Sequence, residues 1–192
     1  MTGRVRDPRR RERILEAASS LMAEKGFTAA SMTEIGATAG VTGPAIYRHF
    51  DGKSAVLVAL LDRAIDGLLA TARAVVASAP ESHQALHLLV RHHVEWVICD
   101  RSLAQVYFRE GHELAEADRR RLRRKQRQYL AVWVALLQAA RPGVGRAQAA
   151  TIVHAALGAV QSDLFHAEGT AVEERKATLA GLASAVLAWE PS

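Results

Sequence analysis

The chain is poor in cysteine, holding only Cys99 in 192 residues. That excludes an intramolecular disulfide and any zinc site built on several thiolates, and it fits a reducing cytoplasm. Long apolar runs are missing as well: stretches such as 55–61 are cut short by charge well before they reach membrane-spanning length. The opening MTGRVRDPRR has no apolar core of the signal-peptide kind, so a soluble, untargeted protein without membrane association is expected. Strand alternation, hairpin turns, internal repeats and low-complexity tracts are not evident, which argues against a sheet or an array. There is no nucleophile elbow, phosphate loop or zinc-protease signature, so neither a catalytic residue nor a cofactor is expected. His83 and His87 stand four residues apart but have no cysteine or carboxylate at matching spacing, and no metal site is assigned to them.

What the chain does have is apolar content of 49%, enough for a substantial core, and a formal charge of +5. A basic balance favours a polyanionic partner, and the position of the charge matters more than its size. Arg4, Arg6, Arg9, Arg10, Arg11 and Arg13 crowd the amino terminus against only Asp7 and Glu12, which suits an arm lying along or into a DNA groove.

The segment Ser31 to Lys53, SMTEIGATAGVTGPAIYRHFDGK, is the most informative. Ser31 and Glu34 form a capping box, and Met32, Ile35 and Ala39 follow at core spacing, so a short helix starts here. Gly40 supplies the left-handed residue that ends it, Val41 returns to the core, and Thr42 is placed to cap the next helix. Pro44 falls in the first turn, where its missing N–H costs no bond, and Ile46 and Phe50 recur as the buried edge. The opposite edge carries Thr42, Gly43, Ala45, Tyr47, Arg48 and His49. This is a helix-turn-helix whose second helix reaches a major groove with its amino-terminal residues, with Tyr47, His49 and Lys53 as donors to phosphate oxygens.

Val41, Thr42, Ile46, Tyr47, His49, Phe50 and Lys53 resemble the signature of the tetracycline-repressor (TetR) family of one-component transcription regulators. The resemblance covers about the first quarter of the chain. It implies an all-helical homodimer that binds a palindromic double-stranded DNA operator and releases it when a small molecule enters the carboxy-terminal part. It also implies that Thr33, Thr42, Gly43, Pro44, Tyr47, His49 and Lys53 face DNA. Gly43 departs from the longer polar or basic residue that family members often carry there, which leaves the base-reading edge sparse.

The expected architecture is all-α: a three-helix DNA-binding domain over residues 1–53, and an effector-binding and dimerisation domain over 54–192, about nine helices in total. A helix begins near Pro8 and ends at Gly26. A long linker helix from about Lys53 to Ala77 is the expected coupling element. Further helices are expected at roughly 82–98, 101–112, 116–140, 146–166 and 173–189, with breaks at Pro80, around 111–114, at 141–143 and at 169–170. The last two are rich in small residues, including Ala155, Gly158, Gly181 and Ala185, and are expected to pair with their copies in a four-helix bundle across a two-fold axis.

On the helix around Leu86, His93 shares the apolar face of Val90, Val94 and Val97. An effector pocket is expected from His93, Trp96, Tyr107, Tyr129 and Trp133, with Arg109, His112, Arg119 and Arg123 at its mouth, suiting an amphipathic anion with an apolar tail. The segment from Tyr107 to Trp133 also looks like the corresponding part of TetR-type regulators of lipid or steroid degradation, some of which respond to coenzyme A thioesters, so an acyl-CoA is one expected effector. Residues 119–127 are basic at seven of nine positions. Arg120, Arg124 and Arg127 project away from the apolar face, as a solvated surface would. The alternative function is a basic helical adaptor that binds RNA or membrane lipid through this helix.

Overall fold

The computed structural model describes residues 8–166, 169 and 171–190. Arg4 and Arg6 of the expected arm therefore lie outside the described residues. Helix α1 spans Pro8–Ala29 and is interrupted at Gly26, whose backbone (φ 84, ψ 163) leaves the helical region before one more turn. Helix α2 is Met32–Thr38 and α3 is only Gly43–Ile46. The long helix α4, Lys53–Ser78, follows. Then come α5 (Ser82–Cys99), α6 (Arg101–Arg109), a 3₁₀ turn at Gly111–Glu113 and α7 (Glu116–Ala140). The chain closes with α8 (Arg146–Gln161), α9 (Asp163–His166) and α10 (Val172–Ala188). Among the described residues there is no strand, so the all-α expectation holds. None of the described helices is long and apolar enough to cross a membrane.

Three boundaries differ from the sequence expectation, each for a local reason. The expected 146–166 helix breaks at Ser162, where Arg101 of α6 reaches in to donate to the carbonyls of Asp163 (3.0 Å) and Leu164 (3.1 Å). The expected 101–112 helix stops at Arg109 and tightens into the 3₁₀ turn, where His112 Nδ1 meets the Arg109 carbonyl at 2.8 Å. The second helix of the helix-turn-helix is one turn long, and the backbone after it continues as turns to His49.

The turn between α2 and α3 is a Schellman motif. Gly40, at φ 64, allows its own N–H to donate to Ala37 O (3.1 Å) and the Val41 N–H to donate to Gly36 O (2.9 Å), which satisfies two carbonyls at the end of α2. Thr42 has the extended backbone of a cap residue, but its hydroxyl makes no capping bond, so the turn rests on Gly40 rather than on Thr42.

One apolar cluster runs through the described chain. Helix α4 is its spine. Val56, Leu57, Leu60 and Leu61 pack in its first half and Ala64, Ile65, Leu68, Leu69, Ala72 and Val75 continue the stripe, each large side chain contributing about 1.5–3 kcal/mol by leaving water. α4 packs against α1 on one side and α5, α6 and α7 on the other, while α10 lies against α8 and α5. The polar edge of α4 is tied down as well: Asp62 accepts from Arg121 Nη2 and Lys125 Nζ, each at 2.8 Å, and Asp66 accepts from Lys125 at 2.8 Å.

Replacing Gly40 by alanine places a Cβ in the left-handed region although nothing crowds the site. The variant should lose about 1 kcal/mol of stability. Urea unfolding followed by circular dichroism measures this, and an unchanged midpoint would show that the turn does not need Gly40.

Candidate nucleic-acid interface and effector chamber

The capping box of α2 forms as expected. Ser31 N–H donates to Glu34 Oε2 (3.0 Å) and Glu34 N–H donates to Ser31 Oγ (3.2 Å). Lys25 of α1 also donates to the Glu34 carboxylate, so one side chain joins α1 to the start of α2. Lys25 first, and Ser31 second, pull the Glu34 carboxyl down to about 2.

With that frame fixed, Ile35, Ile46 and Phe50 are buried and the opposite edge is open. Thr33, Thr42, Pro44 and Arg48 are exposed, Tyr47 is 56% exposed, and His49 is half-buried. Two residues depart from the sequence expectation. Ala45 is buried at 5%, because in so short a helix it lies on the same side as Ile46, and it offers no surface to a base. Lys53 is half-buried, donates to the Thr28 carbonyl at 2.8 Å and lies 4.5 Å from the centre of the Phe27 ring. It pins the start of α4 to the end of α1 and is not a free phosphate donor in this conformation. Arg11 of α1 sits 5.0 Å over the Phe50 ring, so part of the basic amino-terminal helix packs on the buried edge of the helix-turn-helix.

The five aromatic or histidine residues assigned to an effector pocket do come together, on α5, α6 and α7. His93 lies 5.6 Å from Trp96, 6.1 Å from Tyr129 and 6.3 Å from Trp133 between ring centres, and Trp96 meets Tyr107 edge-on at 5.6 Å. His93 Nδ1 and the Tyr129 hydroxyl are 3.2 Å apart. This pair separates two cavities. A cleft of about 340 Å³ opens between α4 and α5, lined by Arg63, Gly67, His92, Trp96 and Leu103 among others. A second cavity of about 190 Å³ lies between α7 and α8, lined by Tyr107, Phe108, Gln126, Leu130, His154 and Leu157. Leu68, His93 and Tyr129 border both. Trp133 is fully buried behind them and lines neither.

The expected cationic mouth does not assemble. Arg109, His112, Arg119 and Arg123 border neither cavity. Arg109 turns toward α1 and donates to the Ala23 carbonyl at 3.3 Å, and Arg119 pairs with Glu116 one turn away. His112 and Arg123 are exposed. For Arg109 the reason is that α6 packs on α1, which carries its last residue toward the helix-turn-helix and away from the chamber. The cation at the chamber is Arg63 of α4, which also pairs with Glu12 of α1. Its contribution, and those of His92, Gln126 and His154, depend on which helices become neighbours and have no signature in local spacing.

Other polar groups of the carboxy-terminal part are committed to structure. Asp163, buried, is bracketed by Arg101 Nη1 (2.8 Å) and Arg175 Nε (2.9 Å). Burial alone would raise its carboxyl, but the two guanidiniums, Arg175 foremost, outweigh it and hold it below the usual range. Arg121 and Lys125 of the basic helix are held by Asp62 and Asp66, and Arg120 by Glu116.

Two family models match this chain. The model of bacterial regulatory proteins of the tetR family covers residues 14–60, and the model of the tetracyclin repressor-like C-terminal domain covers residues 79–164. The chain belongs to the tetracycline-repressor family. The TetR match takes in α2, the Schellman turn, α3 and the first turns of α4, and the second match ends as α9 begins. Among curated relatives, the HTH-type transcriptional repressor KstR2 of Rhodococcus jostii (strain RHA1) is 29% identical over 131 residues, 68% of this chain and 64% of that protein. The aligned region thus spans less than two thirds of that relative. Among solved TetR structures, a regulator from Bordetella parapertussis 12822 superposes with a TM-score of 0.82 at 24% identity, covering 92% of this chain and 95% of that one. AibR, solved in complex with isovaleryl coenzyme A and operator DNA, superposes with a TM-score of 0.76 at 22% identity over 90% of this chain and 97% of that one. At these identities the structural likeness establishes the fold.

His93 has a direct solution signature. Burial pushes its imidazole from 6.5 down to about 4, so between these values the unfolded chain binds a proton that the folded chain refuses. Its contribution is complete above about pH 6.5 and is lost as the pH falls toward 4. By about pH 5 the loss should be about 2 kcal/mol. Chemical unfolding at a series of pH values should show it, with a flatter profile in His93→Leu. Equal slopes in the two proteins would mean that His93 is not buried neutral.

Proposed function

We propose that this protein is a homodimeric, DNA-binding transcriptional repressor that leaves a palindromic operator when a hydrophobic or amphipathic small molecule enters the chamber around His93 and Tyr129. In this reading residues 1–53 are the DNA-binding part and residues 54–192 bind the effector and dimerise. The observation that carries the proposal is the helix-turn-helix with one edge anchored in the core and the other, Thr33, Thr42, Pro44, Tyr47 and Arg48, open to solvent. Tyr47 and Arg48 are the phosphate donors within reach, with His49 beside them, and Thr42 and Gly43 lie nearest a base edge.

Dimerisation is supported by an apolar face that the described residues leave uncovered. On α8, Ala155 and Gly158 are exposed, as is Phe165 of α9; on α10, Gly181, Leu182 and Ala185 are exposed, as is Trp189 just after it. Large exposed residues beside small ones let two helix pairs approach closely about a two-fold axis. Such a dimer presents two recognition helices to half-sites about 34–36 Å apart or a multiple of that.

Coupling would run through α4, which borders the chamber at Gly67 and Leu68 and begins beside α3. An effector that fits better when α4 is displaced shifts the population away from the DNA-binding arrangement. AibR's complex with an acyl-CoA supports testing that class first. The apolar acyl part suits the chamber, with Arg63 as the cation beside it. The adaptor alternative loses weight because Arg121 and Lys125 are engaged by Asp62 and Asp66.

The test starts with an operator selected from random duplexes by the purified protein. Tyr47→Phe should weaken binding to all sequences alike with the salt slope unchanged, and Arg48→Ala should weaken it likewise and lower the slope by about one. Neutralising Arg120, Arg124 and Arg127 should leave operator affinity unchanged. A panel of acyl-CoA esters, titrated against the complex, should contain at least one that releases the DNA. If the helix-turn-helix variants bind as well as wild type and the neutralised α7 does not, the adaptor reading replaces this one.

A further inference from the structure

The polar atoms around His93 form a chain with a direction. Trp133 Nε1 can only donate, and it is buried without a hydrogen-bond partner among the described residues, its ring edge-on to that of Tyr129 at 6.1 Å between centres. A phenol is a stronger donor than an imidazole N–H, and an imidazole nitrogen a stronger acceptor than a phenol oxygen, so the Tyr129 hydroxyl donates to His93 Nδ1, 3.2 Å away. An imidazole that accepts at Nδ1 carries its hydrogen on Nε2. That Nε2 is buried with no partner among the described residues, and His93, 2% exposed, borders both cavities.

The cavity between α7 and α8 adds the second half of the argument. Its lining holds Tyr107, Phe108, Leu130 and Leu157 with the neutral amides Gln126 and Gln161 and with His154, and among the described residues no lysine, arginine, aspartate or glutamate borders it. A carboxylate or phosphate placed there would be desolvated without a cation. An unpaired N–H donor in the same place keeps its desolvation penalty until an acceptor arrives. At about 190 Å³ the space exceeds the cavity of about 150 Å³ that holds benzene in another protein, so a somewhat larger ring fits.

We infer that His93 is the specificity-determining donor of the chamber, offering Nε2–H to an uncharged carbonyl oxygen on an otherwise apolar effector group seated between α7 and α8. This rests on reading the chamber as the effector site. The chemistry is that of a ketone or of a thioester carbonyl. An anionic part of the same effector belongs in the α4–α5 cleft, beside Arg63.

Two measurements test it. In protein labelled with nitrogen-15 in histidine, long-range proton–nitrogen correlation at neutral pH should find His93 as the Nε2–H form, and the Nδ1–H form would overturn the inference. Titration calorimetry should then compare indane, indanone, indane carboxylate and S-methyl thiobenzoate. Indanone should bind roughly three- to tenfold tighter than indane, and indane carboxylate weaker than both. In His93→Phe the preference for indanone should vanish while indane still binds, and Tyr129→Phe, which frees Nδ1 from its donor, should reduce it. Thioester binding equal to or above that of indanone selects the thioester source, and the reverse selects the ketone. Equal binding of indane and indanone, a preference that survives in His93→Phe, tightest binding of the carboxylate, or no binding by any of the four each overturns the inference. Carbonyl-selective binding that leaves operator affinity unchanged would support His93 as the donor and count against the chamber as the effector site.

Discussion

Helix α4 has to belong to two cores at once. Its first turns close the helix-turn-helix against α1, and its middle closes the chamber with α5 and α7. A helix of 26 residues is about 39 Å long if straight, and nearly every turn of this one buries a large apolar side chain. It therefore cannot shift at one end without disturbing packing at the other. The polar ties follow the same course: Lys53 to Thr28 at its start, Arg63 to Glu12 beyond, then Asp62 and Asp66 to α7. Exposed ion pairs contribute little each, and here their role is geometric, since a rotation of α4 would have to break several together.

The chamber shows what a largely apolar interior does to the few polar groups it holds. His93 stays neutral because burial disfavours its charge, and burial pushes the Tyr107 phenol up to about 12, with Gln126 only partly opposing it. Asp163 has the opposite fate, because two guanidiniums bracket it and keep it ionised. One pair of groups is thus available for recognition, and the other locks α6, α9 and α10 into place. The difference lies in whether an opposite charge stands within hydrogen-bonding distance.

Much of the DNA-facing part was legible because its signals are local. Ser31 and Glu34 stand three residues apart, Gly40 follows the helix it ends, and Ile46 and Phe50 recur one turn apart, so each inference needed only a few neighbouring residues. Ala45 escaped this logic: a helix of a single turn has no regular outer face, and the packing of its neighbours decided where that methyl group points. Lys53 reads in sequence as a donor to phosphate, but its engagement by Thr28 and Phe27 joins residues some 25 positions apart.

The chamber divides along the same line. His93, Trp96, Tyr107, Tyr129 and Trp133 could be grouped from the apolar faces of their helices, since helical period alone turns them inward. Arg109, His112, Arg119 and Arg123 could not be placed, because the packing of α6 on α1 sends Arg109 to α1, Arg119 pairs with Glu116 on its own helix, and His112 and Arg123 stay at the surface.

Sequence by itself determined the helical class, the capping of α2, the glycine turn and the inward side of each long helix, all of which arise from interactions within one or two turns. Tertiary structure decided which charges meet, that Arg63 rather than the α7 arginines stands at the chamber, that Asp163 is held ionised, and that His93 keeps a ring nitrogen without a partner among the described residues, between two cavities. Those outcomes depend on distances between helices far apart in the chain, set by the packing of whole apolar faces and not by any local pattern of residues.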